Sequence, residues 1–458
     1  MSSQKAGSES GQLKRVLSRS DLILYGLVIL TPTAAYPVYG IIENASHGHA
    51  ALSYLVAMVA MLFTAASYAR MSAAFPRAGS TYTYAQQSLS ERIGFLAGWA
   101  MILDYFLIPL LSVVYPALTA ARLIPQVPYL FWIVVFSLLI TAINVRGIKM
   151  TAHMSRFMLA VMSVSTVLFV GLSVRFVLLR QGARGLIEPG ALVNPGSLEF
   201  SPLLLGAGIA TLSYIGFDAV STLAEDTRRP EKDIGFAIIV VCLLQTVFCL
   251  ATVYLARLVW PDYRSLPQSE TAILDISSAI GGSWMFGWIT FVLLVAGLAS
   301  ALTGQVGASR LLYGMGRDGV LPRRFFGYIN PKYSTPTRAI YLMGGLCLLG
   351  GFIADFTLLV QMLNFGAYVG FILVNLSVIR HYGFRSGGRG VSHWLTSWIF
   401  PALGAIVCFY IWLSLTNAAK IAGFGWMALG VLYLAITTRG FRTSPRRLQS
   451  LADEGQQP

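Results

Sequence analysis

The sequence predicts an all-α integral membrane protein with twelve transmembrane helices, the first and sixth of them broken at mid-length. Three observations carry this. Apolar stretches of the roughly 20 residues that span a bilayer recur along nearly the whole chain of 458 residues. The chain is 56% hydrophobic and only 11% charged, with a mean hydropathy of +0.67. Finally, 26 of its 33 Lys and Arg residues fall on the side of the spans that also holds both termini, the bias that cytoplasmic loops carry.

Residues 1–20 are polar and form a cytoplasmic tail. The stretch 22–42 is long, interrupted by proline and without a small-residue cleavage site, so it reads as a retained first span and not a signal peptide. Spans at 50–70, 94–120, 128–144, 157–179, 201–223, 235–258, 285–311, 337–353, 356–379, 396–415 and 421–437 complete one membrane domain over 21–438. Residues 439–458 form a second cytoplasmic tail. The other seven basic residues, Arg122, Arg175, Arg180, Arg184, Arg257, Arg264 and Lys420, lie on the opposite side. The net charge of +14 therefore reports topology in a lipid bilayer and not a nucleic-acid partner. Cys242, Cys249, Cys347 and Cys408 sit in apolar segments and act as small hydrophobes. His47, His49, His153, His381 and His393 fall near span ends without metal-ligand spacing. With no nucleophile, metal set or acid–base cluster, the chain is expected to be no enzyme.

Two spans carry breaks. The first is TPTAAYP over 31–37, and the sixth lies within LSYIGFDAVS over 212–221. Interrupted hydrophobic segments in corresponding positions of two halves point to a transporter binding site, and spans 1 and 6 correspond if 1–5 and 6–10 are inverted repeats. Unwound backbone offers free carbonyls and amides there, and half-helix ends present their dipoles. The plain alternatives are a proline kink in the first span and a capped structural acid in the sixth.

Asp218 is an intramembrane carboxylate, which costs at least about 2.5 kcal/mol near the bilayer centre and so marks a functional site by default. Asp104, in the third span, is a second, with no Lys or Arg in the fifteen residues after it. Asp104, Ile108, Leu111 and Tyr115 share one helical face, so one stripe would present an acid and a phenol to a cavity; the alternative is a protonated Asp104 bonded to a backbone carbonyl. Tyr214, Asp218 and Glu225 align only if the helix is unbroken, and Gly216 makes it otherwise. Glu225 stands beside the charged inner loop and reads first as an interfacial ion pair or gate. Ring faces bind ammonium groups, worth ~2 kcal/mol when desolvated. Span position puts Tyr36, Tyr39, Tyr105, Tyr214, Phe217, Phe365 and Tyr368 in or beside the expected cavity, Tyr214 and Phe217 foremost, though packing or an interfacial belt is the commoner role.

GASRLLYGMGRDGVLP over 307–322 resembles the inner end of the eighth span in the amino acid-polyamine-organocation (APC) superfamily. FPRAGSTY over 75–82, GFLAGW over 94–99, GFD over 216–218 and AEDT over 224–227 with Pro230 extend the resemblance to nearly the whole chain. Within that superfamily the chain is most similar to bacterial putrescine importers, through Gly48-His49, LFTAASY over 62–68, AGSTYTYAQ over 78–86, LDY over 103–105 and LNFGA over 363–367. The resemblance implies a five-plus-five inverted repeat of the LeuT type with two extra helices. It also implies proton-driven import of a diamine, putrescine foremost, across a bacterial inner membrane.

A physical argument agrees. Amino acid carriers of the superfamily cradle an α-carboxylate on bare amides of a glycine-rich first break. Here that break holds no glycine and two prolines without N–H donors, which suits a substrate with positive charge at both ends. Met162 stands where some relatives have a lysine that replaces sodium, so that coupling does not carry over. Ser300 and Thr303 are possible sodium ligands, but such hydroxyls more often bond their own backbone. A titrating Asp218, Asp104 or Glu225 would carry the coupling proton, and no other cofactor or metal is expected.

The expected substrate contacts are Asp218, Asp104, Tyr105, Tyr214, Phe217, Tyr36, Thr33, Glu225 and Asn364. One nitrogen of a small cationic substrate would meet Asp218 and carbonyls of the first break, and the other would extend toward Asp104 and Tyr105. Spans 1, 2, 6 and 7 would then rock against the rest, while Arg310, Arg317, Asp318, Arg323 and Arg324 mainly fix topology. The alternatives are a cationic or neutral amino acid permease, an exchanger of amine against amino acid, and, in another class, a membrane receptor. Monomer and homodimer both stay open, because Gly344-Gly345 and Gly350-Gly351 allow close packing without specifying a partner.

Overall fold

The computed structural model describes residues 17–76, 80–147, 152–193, 196–224, 227–317, 322–353, 355–384, 390–438 and 440. Among these the regular structure is helical, apart from an isolated parallel bridge between Leu17 and Thr227. The helices in chain order are α1 (Arg19–Leu30), α2 (Tyr39–Ala45), α3 (Ala50–Ala74), α4 (Ser80–Ser88), α5 (Glu91–Leu123), α6 (Tyr129–Arg146), α7 (Ala152–Gln181) and α8 (Phe200–Ala210). They continue as α9 (Pro230–Val259), α10 (Ala272–Arg317), α11 (Arg323–Phe326), α12 (Thr337–Ile353), α13 (Phe356–Val378), α14 (Val391–Trp394), α15 (Phe400–Ser414) and α16 (Asn417–Thr437).

Ten helical stretches among the described residues are long and apolar enough to cross a bilayer, and α12 is a shorter apolar helix. The chain is a multi-pass membrane protein. The first expected span is split into α1 and α2. The eighth, expected over 285–311, is the part of α10 beyond a kink at Gly282, whose φ of 66° leaves the helical region. The sixth ends in two short 3-10 turns, Thr211–Tyr214 and Phe217–Leu223.

Local chemistry sets the ends. Ser18 and Asp21 form a capping box at the start of α1, with Ser18 N donating to Asp21 Oδ2 at 2.9 Å. Arg19 then pairs with buried Asp233 of α9 at 2.8 Å, and Arg228 N donates to Leu17 O at 3.1 Å, tying the two helix starts together. In the core, α3 lies along α8 and α9, α5 along α10 and α13, and α13 bridges to α3 and α15. Small residues allow this closeness. A Cβ at Gly235 would stand 2.6 Å from Ala69 Cβ, and one at Gly304 would stand 3.2 Å from Ile108. Three of the paired glycines of α12 pack within the chain, Gly344 against Thr141, Gly350 against Leu110 and Gly351 against Ile133, while a Cβ at Gly345 would meet nothing within 4 Å. Trp99 and Trp426 stack at 5.0 Å and each donates its indole N–H to the other's carbonyl at 2.9 Å, fastening α16 to α5.

Candidate functional site

The two breaks meet in the middle of the bundle. Thr31, at φ 56°, turns the chain out of α1, and Pro32 and Pro37 withhold N–H donors until the helix restarts at Tyr39. Short turns cross the gap, with Ala34 N donating to Thr31 O at 3.1 Å and Tyr36 N to Thr33 O at 3.0 Å. The freed carbonyls are met by side chains from other helices, as a membrane interior demands. Gln245 Nε2 of α9 donates to Leu30 O at 3.3 Å and to Thr31 O at 3.0 Å. Thr166 Oγ1 of α7 donates to Pro32 O at 3.4 Å, and Ser213 Oγ to Ala34 O at 3.2 Å. Sequence reasoning missed Gln245, Thr166 and Tyr54, the last of which pairs with Ser213 Oγ at 2.7 Å. The sequence carries little signal for them, since each shares its span with other polar residues: Gln245 with Thr246, Thr166 with Ser165, and Tyr54 with Ser53.

In the sixth span the backbone extends at Ile215 (ψ 126°) and turns left-handed at Gly216 (φ 111°). Only glycine suits that position, because a side chain there would also strike Ile29 of α1. Asp218 enters the first turn of the next helical segment, and the amides of Gly216 and Ala219 face its carboxylate. Ser221 Oγ donates to Asp218 O at 2.6 Å and to Ser80 Oγ of α4 at 3.0 Å.

A cavity of about 680 Å³ lies between α1, α5, α7, α10 and the two breaks. Of the expected contacts, Thr33 and Tyr105 line it, as do Ile108, Leu111 and Tyr115 of the predicted stripe. The rest of its polar wall is hydroxyl-bearing, including Tyr25, Thr31, Ser112, Ser300 and Thr303. Ser112 and Ser300 pair with each other at 3.0 Å, and Thr303 donates to Ala299 O at 3.1 Å and Ser300 O at 3.0 Å in its own helix. The described lining includes no Asp or Glu. Exposed lining residues Tyr25, Tyr105, Ser300 and Thr303 lie toward the end where α1 begins and α10 finishes. Away from them the rings of Tyr115 and Phe356, 5.4 Å apart, line the cavity, and Tyr36 packs against Phe169 at 5.5 Å outside the lining.

Both intramembrane acids stand behind this wall. Asp104 is 4% exposed with Oδ1 unpartnered, and Gly366 of α13 comes so near that an added Cβ would lie 3.1 Å from that oxygen. Asp104 and Asp218 are within electrostatic reach of each other and of Tyr68 and Tyr105. Among the described residues no Lys or Arg faces either carboxylate. Phe217 packs edge-on to Tyr68 at 5.3 Å. The fold thus brings Asp104, Tyr105, Phe217 and Asp218 into one cluster.

It does not bring the others there. Tyr214 donates or accepts at Thr246 Oγ1, 2.9 Å away. Asn364 Nδ2 donates to Gly208 O at 2.6 Å, and Tyr36 faces Phe169. Tyr368 pairs with Thr211, and Phe365 packs against Trp412 and Phe424. Glu225, Asp226 and Asp318 lie outside the described residues.

The profile of the amino acid permease family matches residues 36–432. The chain is 31% identical to the low-affinity putrescine importer PlaP of Escherichia coli (strain K12), over 96% of this chain and 97% of that one. It is 29% identical to the vacuolar cationic amino acid transporter 4 of Arabidopsis thaliana, over 80% of this chain and 63% of that one. In fold it is similar to the crystal structure of MhsT in complex with L-phenylalanine, with a TM-score of 0.57 at 16% identity, covering 88% of this chain and all of that one.

Proposed function

This chain belongs to the amino acid permease family, and from that premise we propose that it imports a small diamine, putrescine foremost, by proton-coupled alternating access. The observation that carries this is the buried pair Asp104 and Asp218, set close together with no described Lys or Arg against either. Two uncompensated carboxylates at mid-depth are costly, and a dication or protons arriving from the cavity would relieve them. The first break supports the same reading, since a backbone without glycine and with two prolines gives an α-carboxylate little to hold. Similarity to PlaP over nearly the full length points the same way.

In the proposed cycle one ammonium group reaches Asp218 when the Phe217–Leu223 turn pivots at Gly216, and the other reaches Asp104 past Tyr105. The basic bias of the loops supports an open end of the cavity on the cytoplasmic side, together with both termini. The described conformation then faces inward, in a bacterial inner membrane. A second reading, a cationic amino acid permease, draws on the hydroxyl-lined wall without a carboxylate and on similarity to the vacuolar cationic amino acid transporter.

Uptake of labelled putrescine into proteoliposomes under an inward proton gradient separates them. Gradient-dependent uptake that falls at least tenfold in Asp218→Asn, as expected for loss of a charge-assisted contact, and that ignores excess arginine, fits the diamine importer. Absent putrescine flux, or flux abolished by arginine, favours the second reading.

A further inference from the structure

Glu43 is a buried carboxylate that the transport cycle above does not use. Helix α2 holds it 1% exposed, facing Arg257 of α9, whose side chain is 14% exposed. The pair is loose: Oε2 and Nη1 stand 4.0 Å apart, and neither atom has a hydrogen-bond partner. Tyr39, one helical turn earlier, sets its phenol beside Glu43 with its oxygen also unpartnered. A buried ion pair serving stability alone would close to a charge-assisted hydrogen bond of about 2.8 Å, because desolvating two charges is offset only by good geometry. The Ala50 amide and the Tyr39 phenol stand against the carboxylate, while its Oε2 and Arg257 Nη1 face each other without closing. Arg257, unlike Glu43, lines a second cavity of about 350 Å³ with His47, Asp262, Tyr263 and Arg264. Its guanidinium already lies over the Tyr263 ring, 5.4 Å from the centroid, so it is shared between Glu43 and that ring. The carboxylate therefore sits one arginine side chain behind an open cavity.

We propose that Glu43 and Tyr39 form a capture site for the ammonium group of the incoming substrate on the outer side, and that Arg257 occupies it as an internal surrogate cation while that side is closed. This rests on the cationic substrate and the orientation proposed above. Exchanging one cation for another keeps the buried carboxylate compensated in both states, so opening the outer side never strands it. Released from Glu43, Arg257 keeps the Tyr263 face and swings toward Asp262 in the cavity.

The test compares uptake into vesicles with efflux from preloaded ones for the wild type, Glu43→Gln, Glu43→Asp and the Glu43→Gln/Arg257→Gln double variant. Putrescine is the first solute, and arginine replaces it if the wild type carries no putrescine. The capture site predicts that Glu43→Gln raises the uptake KM on the order of tenfold, with kcat within about twofold and the efflux KM unchanged. Glu43→Asp falls between, and the double variant keeps the raised KM. Equal damage in both directions that the double variant relieves, or an uptake KM unchanged in Glu43→Gln, overturns it. Wild-type putrescine flux tests the diamine reading separately, since it does not depend on the asymmetry between uptake and efflux.

Discussion

At the scale of single residues, the chemistry rests on a few side chains and one glycine. Asp218 is a capped acid and an unpaired one at once: backbone amides of its own turn face it, yet no described basic side chain does. Gly216 is required twice, for its φ of 111° and for its approach to Ile29. Gly216→Ala therefore combines left-handed strain with a clash and is expected to destabilise by about 1 to 3 kcal/mol. Melting of the purified protein in detergent should show a drop of several degrees, and putrescine uptake should fall with it. Unchanged melting would mean that the sixth span can straighten, which removes the pivot from the proposed cycle.

Among the elements, the broken first span depends on its neighbours more than on itself. Its prolines remove donors, and Gln245, Thr166 and Ser213, from α9, α7 and the sixth span, supply replacements. Gln245→Ala leaves the Leu30 and Thr31 carbonyls without that amide, a loss of roughly 1 to 3 kcal/mol for buried polar groups. Hydrogen exchange over residues 27–38 should accelerate and the uptake rate should drop severalfold, with KM little changed. Exchange as slow as in the wild type would show that the turns across the break hold it unaided.

For the whole molecule, the packed rings of Tyr115 and Phe356 line one part of the cavity while another presents exposed Tyr25 and Thr303. Thr303→Cys should thus react with a membrane-impermeant maleimide applied from the cytoplasmic face, and putrescine should slow the reaction. The four native cysteines are buried, so the wild type provides an unreactive background. Labelling from the outer face alone would reverse the proposed orientation. The Glu43–Arg257 pair lies at the opposite end of α9 from the Arg19–Asp233 pair.

The sequence by itself determined the helical membrane class, the two breaks and the presence of two acids without evident partners. Those features are local: hydropathy over about 20 residues, prolines without N–H groups and a carboxylate among apolar neighbours act wherever the chain lies. Asp104, Ile108, Leu111 and Tyr115 show where local reasoning ends. Their spacing placed them on one helical face, and three line the cavity, but the close approach of α13 at Gly366 puts Asp104 behind the wall. Tyr214 and Asn364 likewise turn to Thr246 and the Gly208 carbonyl, partners 32 and 156 residues away. Only the tertiary structure decided which side chains cluster around Asp218, because helix-on-helix packing sets the last few ångströms of each approach and no residue's neighbours along the chain contain that distance.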